Sequence, residues 1–179
     1  PALHNLHGFL DDNPQIPNYP KLRNLLESIS STEMQNHYDT IKATENSKLK
    51  ITINSFSYKR GIPKDSSEHG GGFVFDCRGI LNPGRIAQYK KQSGKDKAVQ
   101  HYLLTETKMP EFLEHIYAII DINVSNYLER DFDSLSINFG CTGGQHRSVF
   151  AAEQMANFLK NKYGLEAETI HTNEKNWLR

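Results

Sequence analysis

The segment that most constrains the fold lies between residues 135 and 163, where a strand pattern passes through a glycine loop into a helix pattern. Leu135, Ile137 and Phe139 alternate with polar neighbours, which is typical of a β-strand. A glycine-bearing loop follows at 140–145, and apolar residues at helical spacing then run to a stop at Gly164. A strand that leads through a short loop into a helix is the building unit of α/β proteins with parallel sheets.

The rest of the sequence from residue 48 onward repeats this alternation. Phe73 to Phe75 is predicted to be a short buried strand that delivers Asp76 and Arg78 at its C-terminal end. The other predicted elements are strands from Leu49 to about Tyr58, at 135–139 and at 167–171, and helices at 96–105, 110–130 and 146–163. We therefore predict an α/β domain over residues 48–179, with a mostly parallel sheet of about four strands flanked by helices.

Residues 1–47 have a different pattern. Apolar side chains at helical spacing occupy 22–29, and Ser31 or Thr32 is suited to cap a second short helix. We predict a helical extension or linker here, and the tail of an upstream domain is the alternative. His4 and His7 lie three residues apart, but no carboxylate or thiol completes a metal-ligand set near them, so they are interpreted as surface histidines.

Composition excludes several classes of protein. No apolar run approaches the roughly 20 residues that a membrane helix needs, and the N-terminus lacks a signal-peptide pattern. The two cysteines, Cys77 and Cys141, are too few for a disulfide scaffold or a zinc site made of four thiolates. The sequence predicts a cytoplasmic protein with no membrane partner, no metal and no cofactor.

The net charge of zero hides a local excess of positive charge. Residues 59–97 hold nine Lys or Arg side chains against four Asp or Glu side chains. Such an excess is compatible with a partner that carries phosphate, but on charge alone a solvated surface of mixed charge is the favoured interpretation.

The loop at 140–148 reads Gly-Cys-Thr-Gly-Gly-Gln-His-Arg-Ser. Gly143 and Gly144 let the backbone approach a ligand closely, and the helix that follows presents unpaired N–H groups at its N-terminus. Arg147 offers a planar fork for two phosphate oxygens. Thr142, His146 and Ser148 supply further donors. We interpret the loop as an oxyanion site, and a glycine turn that only joins strand to helix is the alternative.

The same loop residues permit a catalytic interpretation. Cys141, Gly144, Arg147 and Ser148 match the pattern Cys-x-x-Gly-x-x-Arg-Ser, which resembles the phosphate loop of Cys-dependent protein phosphatases. In that hypothesis Cys141 is the nucleophile, Arg147 clamps the phosphate and Asp76 is the general acid. Gly140 stands where that family carries His. An inert buried cysteine at a strand end is the alternative.

Four segments in order resemble the C-terminal domain of the RapZ family. They are Ile53-Asn-Ser-Phe-Ser-Tyr-Lys-Arg-Gly-Ile-Pro63, Phe75-Asp-Cys-Arg78 with Asn82-Pro83, Ser93-Gly-Lys-Asp-Lys-Ala-Val99, and Gly140 to Ser148. The resemblance runs from about residue 49 to 171. It implies an RNA-binding module that senses glucosamine-6-phosphate, with a protein partner such as an endoribonuclease and possible assembly into a homo-oligomer.

The resemblance also implies a set of ligand-binding residues. These are Asp76, Arg78, Asn82, Gly94, Asp96, Thr142, Gly143, Gly144, His146, Arg147 and Ser148, and the candidates for RNA contacts are Lys59, Arg60, Lys64, Lys95 and Lys97. Family members carry a P-loop domain, but these 179 residues contain no Gly-x-x-x-x-Gly-Lys-Ser/Thr, so no kinase or NTPase activity is expected.

Two departures from the family pattern affect the expected function. Where relatives often have His and an aromatic residue after Asn-Pro, this chain has Gly84 and Arg85, and the basic C-terminal tail of the RNA-binding members is reduced. The prediction is a regulatory module that binds a phosphorylated amino sugar, with RNA as a second partner. The alternative is a Cys141-dependent phosphatase.

Overall fold

The structure, a computed structural model, describes residues 47–65 and 72–178. The helices predicted before residue 47, together with His4, His7 and the loop around His69, lie outside the described residues. Each element predicted from residue 48 onward is present within one or two residues of its expected bounds.

The described residues form a four-stranded sheet in which every neighbouring pair is parallel. The strands are β1 (Lys50–Ser57), β2 (Phe73–Asp76), β3 (Ser134–Cys141) and β4 (Glu168–His171), and their order in the sheet is β2-β3-β1-β4. The predicted α/β class and the parallel sheet of about four strands are confirmed.

Position in the sheet decides how deeply each strand is buried. The central strand β1 is buried without interruption from Ile53 to Ser57, because layers cover both of its faces. The edge strands β2 and β4 instead alternate between half-buried and exposed residues. The prediction of a buried strand at Phe73–Phe75 was therefore wrong in one respect, since Val74 at the sheet edge is 45% exposed.

Three helices flank the sheet: α1 (Lys97–Thr105), α2 (Met109–Glu129) and α3 (Arg147–Tyr163). Gly164, in the left-handed conformation with φ of 69°, ends α3 as predicted. α3 packs on β1 and β3, and α1 packs on α2. Among the described residues, no helix combines the length and the apolar composition that crossing a membrane requires.

The core forms because the apolar faces of strands and helices meet in one cluster. Its fully buried side chains include Ile53 and Ile137 of the sheet. The helices contribute Val99, Leu103, Ile120, Val124, Met155 and Leu159, all within the same cluster. Within each helix these positions are four residues apart, so each helix turns one apolar face inward.

The parallel register brings four strand ends to one edge of the sheet. Ser57 lies opposite Cys141, Asp76 lies opposite Gly140, and His171 lies opposite Ser55. Ligands of open α/β sheets bind at this carboxyl edge. The phosphate-loop candidate therefore stands where the fold places a binding site.

Gly94 fastens the start of α3 to the turn before α1. Its N–H donates to the Gln145 carbonyl at 2.9 Å. A side chain at this position would clash with the His146 carbonyl oxygen and the Phe150 amide nitrogen. We expect Gly94→Ala to lower the free energy of unfolding by about 1–3 kcal/mol, measured by urea denaturation, because two backbone segments must separate.

Gly79→Ala is the matched control, since nothing lies within 4 Å of the position that its Cβ would occupy. Its free energy of unfolding should stay within about 0.5 kcal/mol of the parent value. Equal stability of the two variants would contradict this account of Gly94.

Candidate anion-binding site

Every backbone carbonyl of the loop between β3 and α3 accepts a hydrogen bond, and all of the donors except that to His146, which lies in α3 itself, come from other elements. The carbonyl of Cys141 accepts from the Tyr58 N–H at 3.0 Å, and that of Thr142 from the Ser57 hydroxyl at 2.8 Å. The carbonyls of Gly143, Gly144, Gln145 and His146 accept from the Asn173 amide, the Trp177 indole, the Gly94 N–H and the Phe150 N–H, respectively, at 2.7–2.9 Å.

These tethers fix the direction of the amide groups. No cis peptide bond occurs in the described part of the chain, and in a planar trans peptide the N–H points away from the C=O. The N–H groups of residues 142–147 are therefore turned away from the outside donors, toward the inner side of the loop. The first turn of α3 adds its own partial positive charge. Such an arrangement is typical of anion-binding loops.

Two glycines are required by the space around the loop. Gly144 has φ of +60°, and a Cβ there would lie 2.9 Å from the Ser57 nitrogen. At Gly140 a Cβ would lie 2.5 Å from the rings of Phe56 and Tyr58. The His that precedes the cysteine in Cys-dependent phosphatases therefore has no room in this fold.

Cys141 lies beneath the loop and is only 2% exposed. Its Sγ is 3.2 Å from the Ser148 hydroxyl and accepts the Gly144 N–H at 3.2 Å. Burial raises the pKa of the Cys141 thiol, but the Ser148 and Gly144 hydrogen bonds and the charge of Arg147 outweigh it, so the pKa is below its usual value. Burial instead raises the pKa of the Cys77 thiol well above its usual value.

Arg147 joins α3 to the turn after β2. It is 4% exposed, and its Nη1 donates to the carbonyls of Arg78 at 3.1 Å and Ile80 at 2.7 Å. Its Nε is buried and has no hydrogen-bond partner among the described residues. Buried donors are rarely left unpaired, so this guanidinium has unused capacity for an acceptor.

Asp76 forms an ion pair with Arg78, and Arg78 lines a cleft. The Asp76 carboxylate accepts from Arg78 Nε at 2.9 Å and from Nη2 at 2.6 Å, and the guanidinium lies 3.9 Å over the Tyr58 ring. The hydrogen bond from Arg78 is the main reason that the pKa of Asp76 is below its usual value. Asp76 is therefore ionised at neutral pH and fixes the orientation of Arg78.

The cleft beside the loop has a volume of about 400 Å³, within the range of small-molecule sites. Three arginines line it: Arg78, Arg85 and Arg147. Its other lining residues are Gly79, Ile80, Leu81, Asn82, Ile86, Tyr102 and Thr142. Arg85 is not among the predicted ligand-binding residues. Its only signal in the sequence is that it follows Asn82-Pro83 closely, in place of the family's usual residues.

The predicted site residues thus fall into two groups. Arg78, Asn82, Thr142 and Arg147 line the cleft, and Asn82 also accepts the Gly84 N–H at 3.1 Å. The remaining predicted residues, Asp76, Gly94, Asp96, Gly143, Gly144, His146 and Ser148, are not among the described residues that line this cleft.

Two residues of the second group hold neighbouring turns. Asp96 accepts the N–H and the hydroxyl of Ser93 at 2.7 and 2.9 Å. A ring nitrogen of His146 is bonded to the Tyr89 carbonyl at 2.9 Å, and burial is the main reason that its pKa is lowered. His146 is therefore neutral at physiological pH and adds no charge to the site.

The basic candidates for RNA contacts are exposed. Lys59, Arg60 and Lys64 follow the carboxyl end of β1, at the same edge of the sheet as the loop. Lys97 begins α1. Lys95 forms an ion pair with Glu153 at 3.6 Å, so part of its charge is balanced.

The fold and the candidate site define a class: an α/β domain whose parallel sheet presents a carbonyl-tethered glycine loop and an arginine-lined cleft at its carboxyl edge. The family model described as the RapZ C-terminal domain matches residues 49–175. The chain belongs to the RapZ C-terminal domain family, as the sequence motifs predict.

Several curated bacterial proteins, each named a nucleotide-binding protein, are similar to this chain. One from Endomicrobium trichonymphae is 39% identical over 64% of this chain and 38% of its own length. One from Clostridium botulinum is 39% identical over 78% and 45%, and one from Cereibacter sphaeroides is 37% identical over 71% and 39%. The chain spans less than half the length of these relatives.

The contacts of Cys141 predict that the pKa of its thiol depends on the Ser148 hydroxyl. Ser148→Ala removes the hydroxyl beside Sγ, and a hydrogen bond to a charged group contributes about 1.5–3 kcal/mol. We therefore expect the pKa of Cys141 to rise in this variant, so that thiolate formation, followed by ultraviolet absorbance against a Cys141→Ala blank, moves to higher pH.

Ser125→Ala is the matched control, because that hydroxyl bonds the Asp121 and Ile122 carbonyls of its own helix, α2, and the Tyr163 side chain rather than the loop. An unchanged titration in Ser148→Ala would show that the hydroxyl does not support the thiolate. The raised pKa of Cys77 keeps its titration apart from that of Cys141.

Proposed function

We propose that this RapZ-type domain is a regulatory module that binds a phosphorylated amino sugar, with glucosamine-6-phosphate as the ligand to test first. The observation that carries the proposal is the three-arginine cleft, which meets the tethered loop at Thr142 and Arg147. The cleft offers positive charge to a phosphate and polar side chains to sugar hydroxyls.

The lining of the cleft suits a sugar phosphate in two further ways. Asn82 and Thr142 are short polar side chains within the lining, and Ile80, Leu81 and Ile86 add apolar surface. Pockets for small polar ligands combine a few oriented polar groups with an apolar wall in this manner. The Nε of Arg147 is a buried donor without a hydrogen-bond partner among the described residues. A hydrogen bond from this Nε to an acceptor would offset the cost of its burial.

The relatives' name, nucleotide-binding protein, belongs to proteins more than twice as long as the part that this chain matches. A nucleotide also carries phosphate, so it is a competing ligand for the cleft. We do not propose nucleotide hydrolysis, because the 179 residues contain no P-loop sequence.

The geometry favours binding over phosphatase chemistry. Cys141 is almost fully buried, whereas a nucleophile must reach the phosphorus atom. Asp76 is bound to Arg78 and has a lowered pKa, so it carries no proton to donate to a leaving group. Nη1 of Arg147 is already bonded to two backbone carbonyls.

RNA is the second candidate ligand, and a specific placement supports it. Lys59 and Arg60 are exposed. They directly follow Ser57 and Tyr58, which donate hydrogen bonds to the loop carbonyls. A basic segment at this edge could hold an RNA backbone while the cleft senses a small ligand. The role of a protein partner in that arrangement belongs to the proposal as well.

The sugar-phosphate proposal is tested by calorimetric titration of glucosamine-6-phosphate into the purified chain. We expect saturable binding that Arg85→Gln weakens about tenfold, because a charge-assisted hydrogen bond to phosphate is lost. Arg85 is exposed, so its replacement leaves the core unchanged. The control is Arg130→Gln, which removes the same charge beside the start of β3, at the opposite edge.

Two outcomes would contradict this proposal. Absence of binding heat would exclude glucosamine-6-phosphate as the ligand. Continuing heat after each injection, abolished by Cys141→Ser, would mean turnover and favour the phosphatase alternative.

The RNA proposal predicts strong dependence on salt. Affinity for a structured RNA should fall steeply as salt rises, and the double variant Lys59→Gln/Arg60→Gln should flatten the slope of log affinity against log salt by roughly 1–2. Lys48→Gln/Lys50→Gln is the control, because these exposed lysines lie at the opposite end of β1. Binding that ignores salt, or no binding at low salt, would contradict an RNA surface.

A further inference from the structure

The C-terminal tail, residues 172–178, crosses the outer side of the anion loop. It leaves β4 and is fastened at once, because both the N–H and the hydroxyl of Thr172 donate to the Ser55 carbonyl, at 3.0 and 3.1 Å. A short turn at Glu174–Asn176 then carries the chain to Trp177. The tail thus starts on the sheet and ends against the loop.

Three successive loop residues are bonded to this tail. Asn173 Nδ2 donates to the Gly143 carbonyl and Trp177 Nε1 donates to the Gly144 carbonyl, both at 2.7 Å. Gln145 then pairs with the main chain of Leu178, as acceptor through Oε1 and as donor through Nε2, both at 3.0 Å. The donors to the two glycine carbonyls thus come from the part of the sequence that follows β4.

We propose that Asn173 and Trp177 are positioning residues of the anion site: Asn173 holds the Gly143–Gly144 peptide with its N–H on Cys141 Sγ, and Trp177 holds the Gly144–Gln145 peptide with its N–H turned to the inner side of the loop. The inference rests on the proposed function, since it concerns how the same site is kept competent. By the reciprocity of linked equilibria, an anion bound in the loop then holds the tail in place as strongly as the tail supports the anion.

The two glycines make such positioning necessary. Gly143 has open space around it, and Gly144 adopts φ of +60°. A peptide group between glycines meets little steric resistance to turning over, because neither neighbour carries a Cβ. The donors on either side therefore decide its orientation.

The peptide between these glycines is held at both ends. Its carbonyl, from Gly143, accepts the Asn173 amide, and its N–H, from Gly144, donates to Cys141 Sγ at 3.2 Å. Loss of the outer donor frees the peptide to rotate and withdraw the N–H from sulfur. The ionisation of Cys141 therefore reports on the tail without any ligand.

The tail donors are themselves held. Asn176 Nδ2 donates to Asn173 Oδ1 at 2.8 Å, which leaves the Asn173 amide nitrogen directed at Gly143. The Trp177 ring lies 5.7 Å from the His171 ring. His171 in turn is bonded to Ser55 at 2.7 Å and Glu153 at 2.8 Å, so the tail is braced against both β1 and α3.

The test uses Asn173→Ala and Trp177→Phe in the full chain, where the second change keeps an aromatic ring and removes only the indole N–H. Leu178→Ala is the control, because that residue meets the loop through its main chain and its side chain is 54% exposed. Titration with glucosamine-6-phosphate should show affinity reduced roughly fivefold in each test variant, with thermal unfolding close to the parent and the control unchanged.

Ultraviolet titration of Cys141 without ligand gives the independent readout. Asn173→Ala should raise the pKa of Cys141, and Leu178→Ala should leave it unchanged. If the parent binds glucosamine-6-phosphate and both test variants bind it equally well, the positioning role is overturned. If the parent does not bind it, the proposed function fails; a raised Cys141 pKa in Asn173→Ala then still supports the positioning role, and an unchanged pKa overturns it.

Discussion

The candidate site depends on one constraint, the satisfaction of the loop carbonyls between β3 and α3. A buried backbone carbonyl needs a donor, and here the donors come from outside the loop: the end of β1, the turn before α1 and the C-terminal tail. Peptide planarity converts that requirement into function, because each tethered carbonyl sends the N–H of the same peptide the other way. The same hydrogen-bond pattern therefore satisfies the carbonyls and turns N–H groups to the inner side of the loop, as the proposed anion site requires.

Arg147 extends the pattern from the loop to the cleft. Its Nη1 donates to the Arg78 and Ile80 carbonyls and so closes the turn after β2. The residue that brings positive charge to the site therefore also fixes the shape of that turn. Burying a guanidinium is costly unless its donors and its charge are matched. Two carbonyls satisfy part of that demand and Asp76 balances Arg78, so the charges of Arg147 and Arg85 remain in excess at the cleft. An anion is the partner that would balance it.

Much of this fold could be predicted because its signals are local. Alternation marked β1 and β3, helical spacing marked α1 to α3, and Gly164 marked a helix end. The exposure of Val74 could not be predicted, since β2 is an edge strand only through the order of strands in the sheet. Pattern alone could not separate residues that line the cleft from those that support it. Asp96 and His146 bond neighbouring backbone, whereas Arg85, outside the predicted set, lines the cleft.

The tail could not be predicted either, because Asn173 and Trp177 reach the loop from about thirty residues away through contacts that no periodicity encodes. Their presence changes how Cys141 is understood. The thiol and the tail hold the Gly143–Gly144 peptide from opposite sides, so the sulfur serves as the inner acceptor of a tether whose outer donor is Asn173. Ser148, Arg147 and the Gly144 N–H that this tether orients favour the thiolate, which lowers the pKa of Cys141 without exposing the sulfur. A low thiol pKa at this position is therefore a consequence of how the loop is held, and it does not by itself indicate a nucleophile.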